Sequence, residues 1–258
     1  MSIDYKLEEG VARVTINRPE RMNAIDGPSE VELENIWSAI EADNSARCVV
    51  LTGAGERAFS AGADLKSGSG KSGLEYWADL NQNGFGGIAT RLSMKIPVIG
   101  RVNGLALGGG MEMVLGCDIV IAADDARFGL PEAKVGRTPI EGGMVLLQRL
   151  IPEKIAAGLM MTGRFMSSAE AFSYGLVNAV VSRDSLDEEV DKWVADIVSC
   201  APLSLRAIKQ SIRQTAHLSP QEALSFKLPE LISALNSEDA EEGVLAFKEK
   251  RPPVWSGR

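Results

Sequence analysis

Pro97-Val-Ile-Gly-Arg-Val-Asn-Gly-Leu-Ala-Leu-Gly-Gly-Gly-Met-Glu-Met113 is the stretch on which the fold turns. It opens as a short, mostly apolar run of the kind that forms a buried strand. Three consecutive glycines, Gly108 to Gly110, then lead into an apolar helical segment. Glycines in that place permit unusual backbone angles and close approach of the main chain. They also leave free N–H groups at a helix N-terminus, where negative charge is favoured. Tight packing of strand against helix would call for glycines as well, and the residues alone leave both readings open.

Working outward, residues 48–52 and 118–122 are similar short apolar runs. Ile3, Tyr5 and Leu7, then Val11, Val14 and Ile16, alternate as two strands joined at Glu9-Gly10. Pro28 stands where a helix can begin, with Val31, Leu33, Ile36, Trp37 and Ile40 as its apolar stripe. Strands alternating with helices predict an α/β core over residues 1–185. From 186 to 258 helical periods take over: Val190, Trp193, Val194 and Ile197; Leu203, Leu205, Ile208 and Ile212; Leu224, Leu228, Leu231 and Leu235, with Pro229 placed to kink or split the last. Residues 66–88, polar and glycine-rich, read as a mobile loop holding at most one helix.

With 258 residues, 45% hydrophobic and 24% charged, the chain is long enough for one sizeable core. A net charge of −8 leaves no basic stripe for duplex nucleic acid. The polar start MSIDYKLEEG lacks a secretory signal, and nowhere do eighteen apolar residues run together, so the cytoplasm is expected and no membrane partner. Cys48, Cys117 and Cys200 are too scattered for a disulfide framework or zinc site and read as small buried hydrophobes. The single histidine, His217, argues against a histidine metal cage or a Ser-His-Asp triad. The run Ser67–Ser72 imitates a phosphate loop without its first glycine, and Gly84-Phe-Gly-Gly imitates a dinucleotide fingerprint without a preceding strand. Chemistry must come from carboxylates and backbone, with no metal.

Glu112 follows the glycines directly, and Glu132 comes in Phe128-Gly-Leu-Pro-Glu-Ala, twenty residues on. That spacing lets helix, strand and turn return both side chains to one place. Paired carboxylates in an apolar cleft suit proton transfer to and from water and carbon. Two solvated glutamates at helix starts fit the spacing as well. A second glycine turn, Ala58-Phe-Ser-Ala-Gly-Ala-Asp-Leu-Lys66, could give a second free amide, and two such amides make a hole for an oxyanion.

Four stretches in register, Asn17-Arg-Pro-Glu-Arg-Met-Asn-Ala, Phe59-Ser-Ala-Gly-Ala-Asp-Leu, Asn103-Gly-Leu-Ala-Leu-Gly-Gly-Gly-Met-Glu and Phe128-Gly-Leu-Pro-Glu, resemble the enoyl-CoA hydratase/isomerase (crotonase) superfamily. The likeness continues through Thr162-Gly-Arg to the Ala246-Phe-Lys-Glu-Lys-Arg tail. It implies an α/β spiral of ββα units with a C-terminal helical trimerisation region, assembled as a homotrimer or homohexamer. The implied activity is reversible hydration of an enoyl-CoA thioester, the coenzyme A being carried by the substrate with no separate cofactor. A Δ3,Δ2-enoyl-CoA isomerase of the same fold is one alternative. By that resemblance Glu112 and Glu132 are the hydratase glutamates, and the N–H groups of Ala63 and Gly109 hold the thioester oxygen. Arg21, Met22, Ala24, Arg57, Ala61, Asp64 and Leu65 would contact coenzyme A, and Phe247 and Lys250 of a neighbouring subunit would close over it. Arg21 and Arg57 could equally be paired on the surface. Pro139-Ile-Glu-Gly-Gly143 puts a third acid, Glu141, near the pocket. Phe85-Gly-Gly-Ile, Leu130-Pro-Glu-Ala-Lys134 and the ending from Ser237-Glu-Asp-Ala to Lys250-Arg-Pro-Pro-Val-Trp-Ser-Gly-Arg258 look closest to the carnitinyl-CoA dehydratase branch, a further alternative, and the extra carboxylate would suit a cationic acyl group.

Overall fold

The computed structural model describes residues 2–67, 70 and 72–258. Its first hairpin joins β1 (Ile3–Glu8) to β2 (Val11–Ile16), with positive φ at both Glu9 and Gly10, the two-residue turn that suits strand twist. From there the chain coils, and each coil lays one strand into each of two sheets. The larger sheet, in the order β1-β2-β3-β5-β7-β10, takes β3 (Cys48–Gly53), β5 (Val98–Val102), β7 (Ile119–Ala123) and β10 (Ala179–Val181). The smaller, β4-β6-β8-β9, takes β4 (Ala58–Ser60), β6 (Leu105–Leu107), β8 (Arg127–Gly129) and β9 (Met166–Ser167). Pairing along the coil is parallel, and a helix follows each of the three strand pairs: α2 (Gly73–Ala78), α3 (Gly109–Gly116) and α4 (Gly143–Leu150). This is the expected spiral of ββα units.

The central strands β3, β5 and β7 are apolar because both their faces are covered, whereas β1 at the edge alternates. On one face lies α7 (Leu186–Ser199), which buries Leu186, Val190, Val194 and Ile197 against β3, β5 and β7, each side chain contributing roughly 1.5–3 kcal/mol. The first helix, α1 (Gly27–Ala42), is capped by Asp26 and buries Leu33, Trp37 and Ile40. After β8 the chain adds α5 (Glu153–Thr162) and α6 (Ser168–Ser173). It ends in α8 (Pro202–Thr215), α9 (Pro220–Ser225), α10 (Pro229–Leu235) and α11 (Glu238–Glu249). Pro229 does split the third helical period, because proline suits a first helical turn and not an interior. Ile208, Ile212, Leu224 and Leu235 of this region lie open on the single chain.

Two expectations need correction. Residues 66–88 are not simply a mobile loop with a helix: Phe85, Gly86 and Gly87 are buried in a tight turn packed on α1 and α3. Gly86 has φ of 61°, and a Cβ there would meet Met113 Sδ; the glycines serve close packing, not slackness. Residues 68, 69 and 71, within the phosphate-loop look-alike, lie outside the described residues. Cys200 is exposed, unlike buried Cys48 and Cys117, because it ends α7 at the surface.

Candidate active site

Two buried asparagines shape the glycine loops. Asn23 Nδ2 donates to the carbonyls of Ala54 and Ala58, and Asn103 Nδ2 to those of Gly53 and Gly55. The loop before α1 is stitched to the one after β4: Ala61 N–H donates to Met22 O, Ile25 N–H to Gly62 O, and Asp64 N–H to Ile25 O. With the Gly62 N–H donating to Ser60 Oγ, the amides on either side of Ala63 are used and its own is passed over. Among the described residues the Ala63 N–H has no acceptor, and neither has the Gly109 N–H, an orphan donor at the start of α3.

These two amides are neighbours. A Cβ added to Gly62 would lie 2.7 Å from Gly109 N. One on Gly110 would collide with Ser60 O, and one on Gly109 with the Phe85 ring. Tight packing and free amides, left open by the residues, are therefore both true of this turn.

Glu112, 3% exposed, stands on the first turn of α3. Its Oε1 accepts the N–H groups of Glu141 (3.0 Å) and Gly143 (2.8 Å) at the start of α4. Burial lifts its carboxyl to about 7, against the Gly143 hydrogen bond and with the charges of Glu141 and Glu132 adding to the rise. Glu132 follows β8, its Oε1 3.0 Å from where a Cβ of Gly108 would lie. Burial raises its carboxyl too, and Glu132 Oε2 is buried without a hydrogen-bond partner. An acceptor left so costs about 1–3 kcal/mol and marks a place for a water or a ligand hydroxyl. Neither glutamate is ion-paired among the described residues, where no acidic, cysteine and histidine cluster could hold a metal.

A sequence model described as enoyl-CoA hydratase/isomerase matches residues 6–258. This chain belongs to the enoyl-CoA hydratase/isomerase family. Within it, carnitinyl-CoA dehydratase from Escherichia coli O157:H7 is 40% identical over 252 residues, covering 96% of this chain and 95% of that one. The Citrobacter koseri protein of the same name is 38% identical over 261 residues, covering 100% and 99%. Among solved structures, enoyl-CoA hydratase from Bacillus anthracis superposes with a TM-score of 0.91 at 35% identity, covering both chains fully. That from Mycobacterium tuberculosis H37Rv gives 0.91 at 30%, covering 100% and 99%.

The positions expected to face coenzyme A fall in two groups, with Arg57 apart from both. Arg21, Met22, Ala24, Ala61, Asp64 and Leu65 come together where the loop before α1 meets the loop after β4. Arg57 stands exposed at the start of β4, and neither it nor Arg21 has an ion pair among the described residues. The Asp64 carboxylate is already engaged by Arg18 Nη2 (3.1 Å) and the Lys66 N–H. Phe247 and Lys250 lie on and just after α11, which packs on α10, and Phe247 is 86% exposed. Sequence reasoning missed Arg18, Asn23 and Tyr76. Arg18 also pairs with Asp26 (2.8 Å) and donates to Ala24 O, which locks the loop. Tyr76 of α2 donates its hydroxyl to Glu141 Oε2. The two loop residues stood in the quoted Asn17–Ala24 stretch; nothing in the sequence marked the tyrosine.

Proposed function

We propose that this chain adds water across the α,β double bond of an enoyl-CoA thioester, and removes it in reverse. The observation that carries the reading is the partnerless Glu132 Oε2, held in the same site as Glu112 and beside two unused amides. The Ala63 and Gly109 N–H groups would receive the thioester oxygen as negative charge gathers on it, each donor being worth roughly 3–4 kcal/mol in the transition state. One carboxylate takes the proton of the attacking water while a carboxyl delivers one to the α-carbon. A pair in which one member sits near 7 holds both forms at once. The test is loss of the enoyl-thioester absorbance over a panel of enoyl-CoA esters. A chain that moved a 3-enoyl double bond but hydrated no 2-enoyl ester would be an isomerase instead.

One observation favours a cationic acyl group. Glu30, Glu112, Glu132 and Glu141 act on one another in and beside the site, and the last three make no ion pair among the described residues. Relatives named carnitinyl-CoA dehydratase agree with that. Turnover of crotonobetainyl-CoA well above that of crotonyl-CoA is expected, and the reverse preference would discard it.

Arg21 and Arg57 would meet the coenzyme phosphates, with Met22, Ala24, Ala61, Asp64 and Leu65 along its path. Phe247 and Lys250 would reach it from a second copy in a homotrimer or homohexamer, a reading supported by the open apolar side chains of α8, α9 and α10.

A further inference from the structure

Glu141 takes part in the site three ways at once. Its backbone N–H donates to Glu112 Oε1, and its backbone carbonyl accepts from Phe85, the residue whose ring lies on Gly109. Its side chain, 7% exposed, accepts the hydroxyl of half-buried Tyr76. That tyrosine belongs to a six-residue helix, α2, held by a Ser72–Glu75 capping box, while its neighbours Leu74 and Trp77 point outward. The polar face of α2 thus reaches the acid pair through a single inward side chain.

We propose that Tyr76 and Glu141 form the positioning pair for Glu112, the glutamate backbone clamping it and the tyrosine-held carboxylate setting a negative charge beside it. This rests on the hydratase reading and deepens it, coupling the seating of α2 to the readiness of the acid pair. Among the described residues the groups facing one another are these. Glu112 meets Glu141 and Glu132; Glu141 meets Tyr76 and Glu30; Tyr76 meets Glu141, Glu30 and Glu112. Burial pushes the Glu141 carboxyl up, and the Tyr76 hydroxyl opposes that by favouring its charged form; a charged Glu141 in turn disfavours a second charge on Glu112. Deleting either the charge or the hydroxyl therefore eases ionisation of Glu112.

The test titrates the Glu112 carboxyl by infrared difference spectroscopy, with Glu112→Gln as the blank, in the wild type, Glu141→Gln, Tyr76→Phe and the double variant. Glu141→Gln should move the Glu112 midpoint down by roughly one pH unit, the effect of losing one nearby like charge. Tyr76→Phe should move it the same way by less, and in the double variant it should add nothing. Glu141→Asp should restore most of the wild-type midpoint, which a purely structural role would not do. The Glu112-dependent limb of the kcat profile should follow, with KM changed less than about twofold. A midpoint unmoved in Glu141→Gln, or fully additive effects, would overturn the proposal. The infrared midpoint needs no turnover, so a wild type that hydrates nothing defeats the hydratase reading separately.

Discussion

Glu112 and Glu242 are both helical glutamates hydrogen-bonded by backbone N–H groups, yet their acidities lie at opposite ends of the carboxyl range. Glu112 is enclosed at the start of α3 with no ion pair among the described residues, and burial takes it to about 7. Glu242, on α11, accepts from both Nη atoms of Arg251 and from the Val254 N–H, and these hold it at about 2. The tail glutamate fastens residues 251–254 back onto the helix; the α3 glutamate is kept where it can hold or release a proton near neutrality. A cation within reach makes a carboxylate structural, and its exclusion makes one reactive.

The sharpest break of that contrast is Glu132→Gln or Glu112→Gln, each expected to lower kcat about 10²–10⁴-fold with little change in coenzyme affinity, read by steady-state hydration kinetics. Glu242→Gln should leave kcat unchanged. Next comes Gly110→Ala. Its methyl has nowhere to go beside Ser60 O, so a loss of about 1–3 kcal/mol is expected by chemical denaturation.

Third is stability against pH. Glu112 ionises less readily folded than unfolded, so the folded chain binds the extra proton between 4.5 and about 7. Wild-type stability should fall as pH rises through that window and then level off. Glu112→Gln should remove up to about 3 kcal/mol of that fall, the shift converted at 1.36 kcal/mol per unit. The smallest effect belongs to Glu242→Gln, which should leave residues 251–254 more open to proteolysis and hydrogen exchange. Because Glu242 is depressed in the fold, its contribution is present above 4.5 and disappears as pH falls through about 2.

Much of the larger sheet was readable because β1, β2, β3, β5 and β7 are five- or six-residue strands with alternating or unbroken apolar runs. The smaller sheet was not: β4, β6 and β8 have three residues and β9 two, too short to show a period. The glycine turn and Glu112 could be found from their neighbours, and Glu132 from its return after one strand pair. Gly84 to Gly87 misled, since a glycine chosen for close packing looks the same in sequence as one chosen for freedom. Tyr76 was invisible for another reason. Its partner Glu141 is 65 residues away, and a single aromatic in a polar segment carries no pattern.

Successive coils also furnish a ruler. Ala63 follows β4, Gly109 follows β6, and Glu132 follows β8, three adjacent rungs of one ladder. The strands that lead into the two amides are neighbours in that ladder, set at the pitch of hydrogen-bonded strands, roughly 4.7–4.9 Å. Lengthening either loop elsewhere would leave that gauge untouched, so under the proposed function the rim of the cleft could be rewritten for new acyl groups while the proposed grip on a carbonyl oxygen keeps its width.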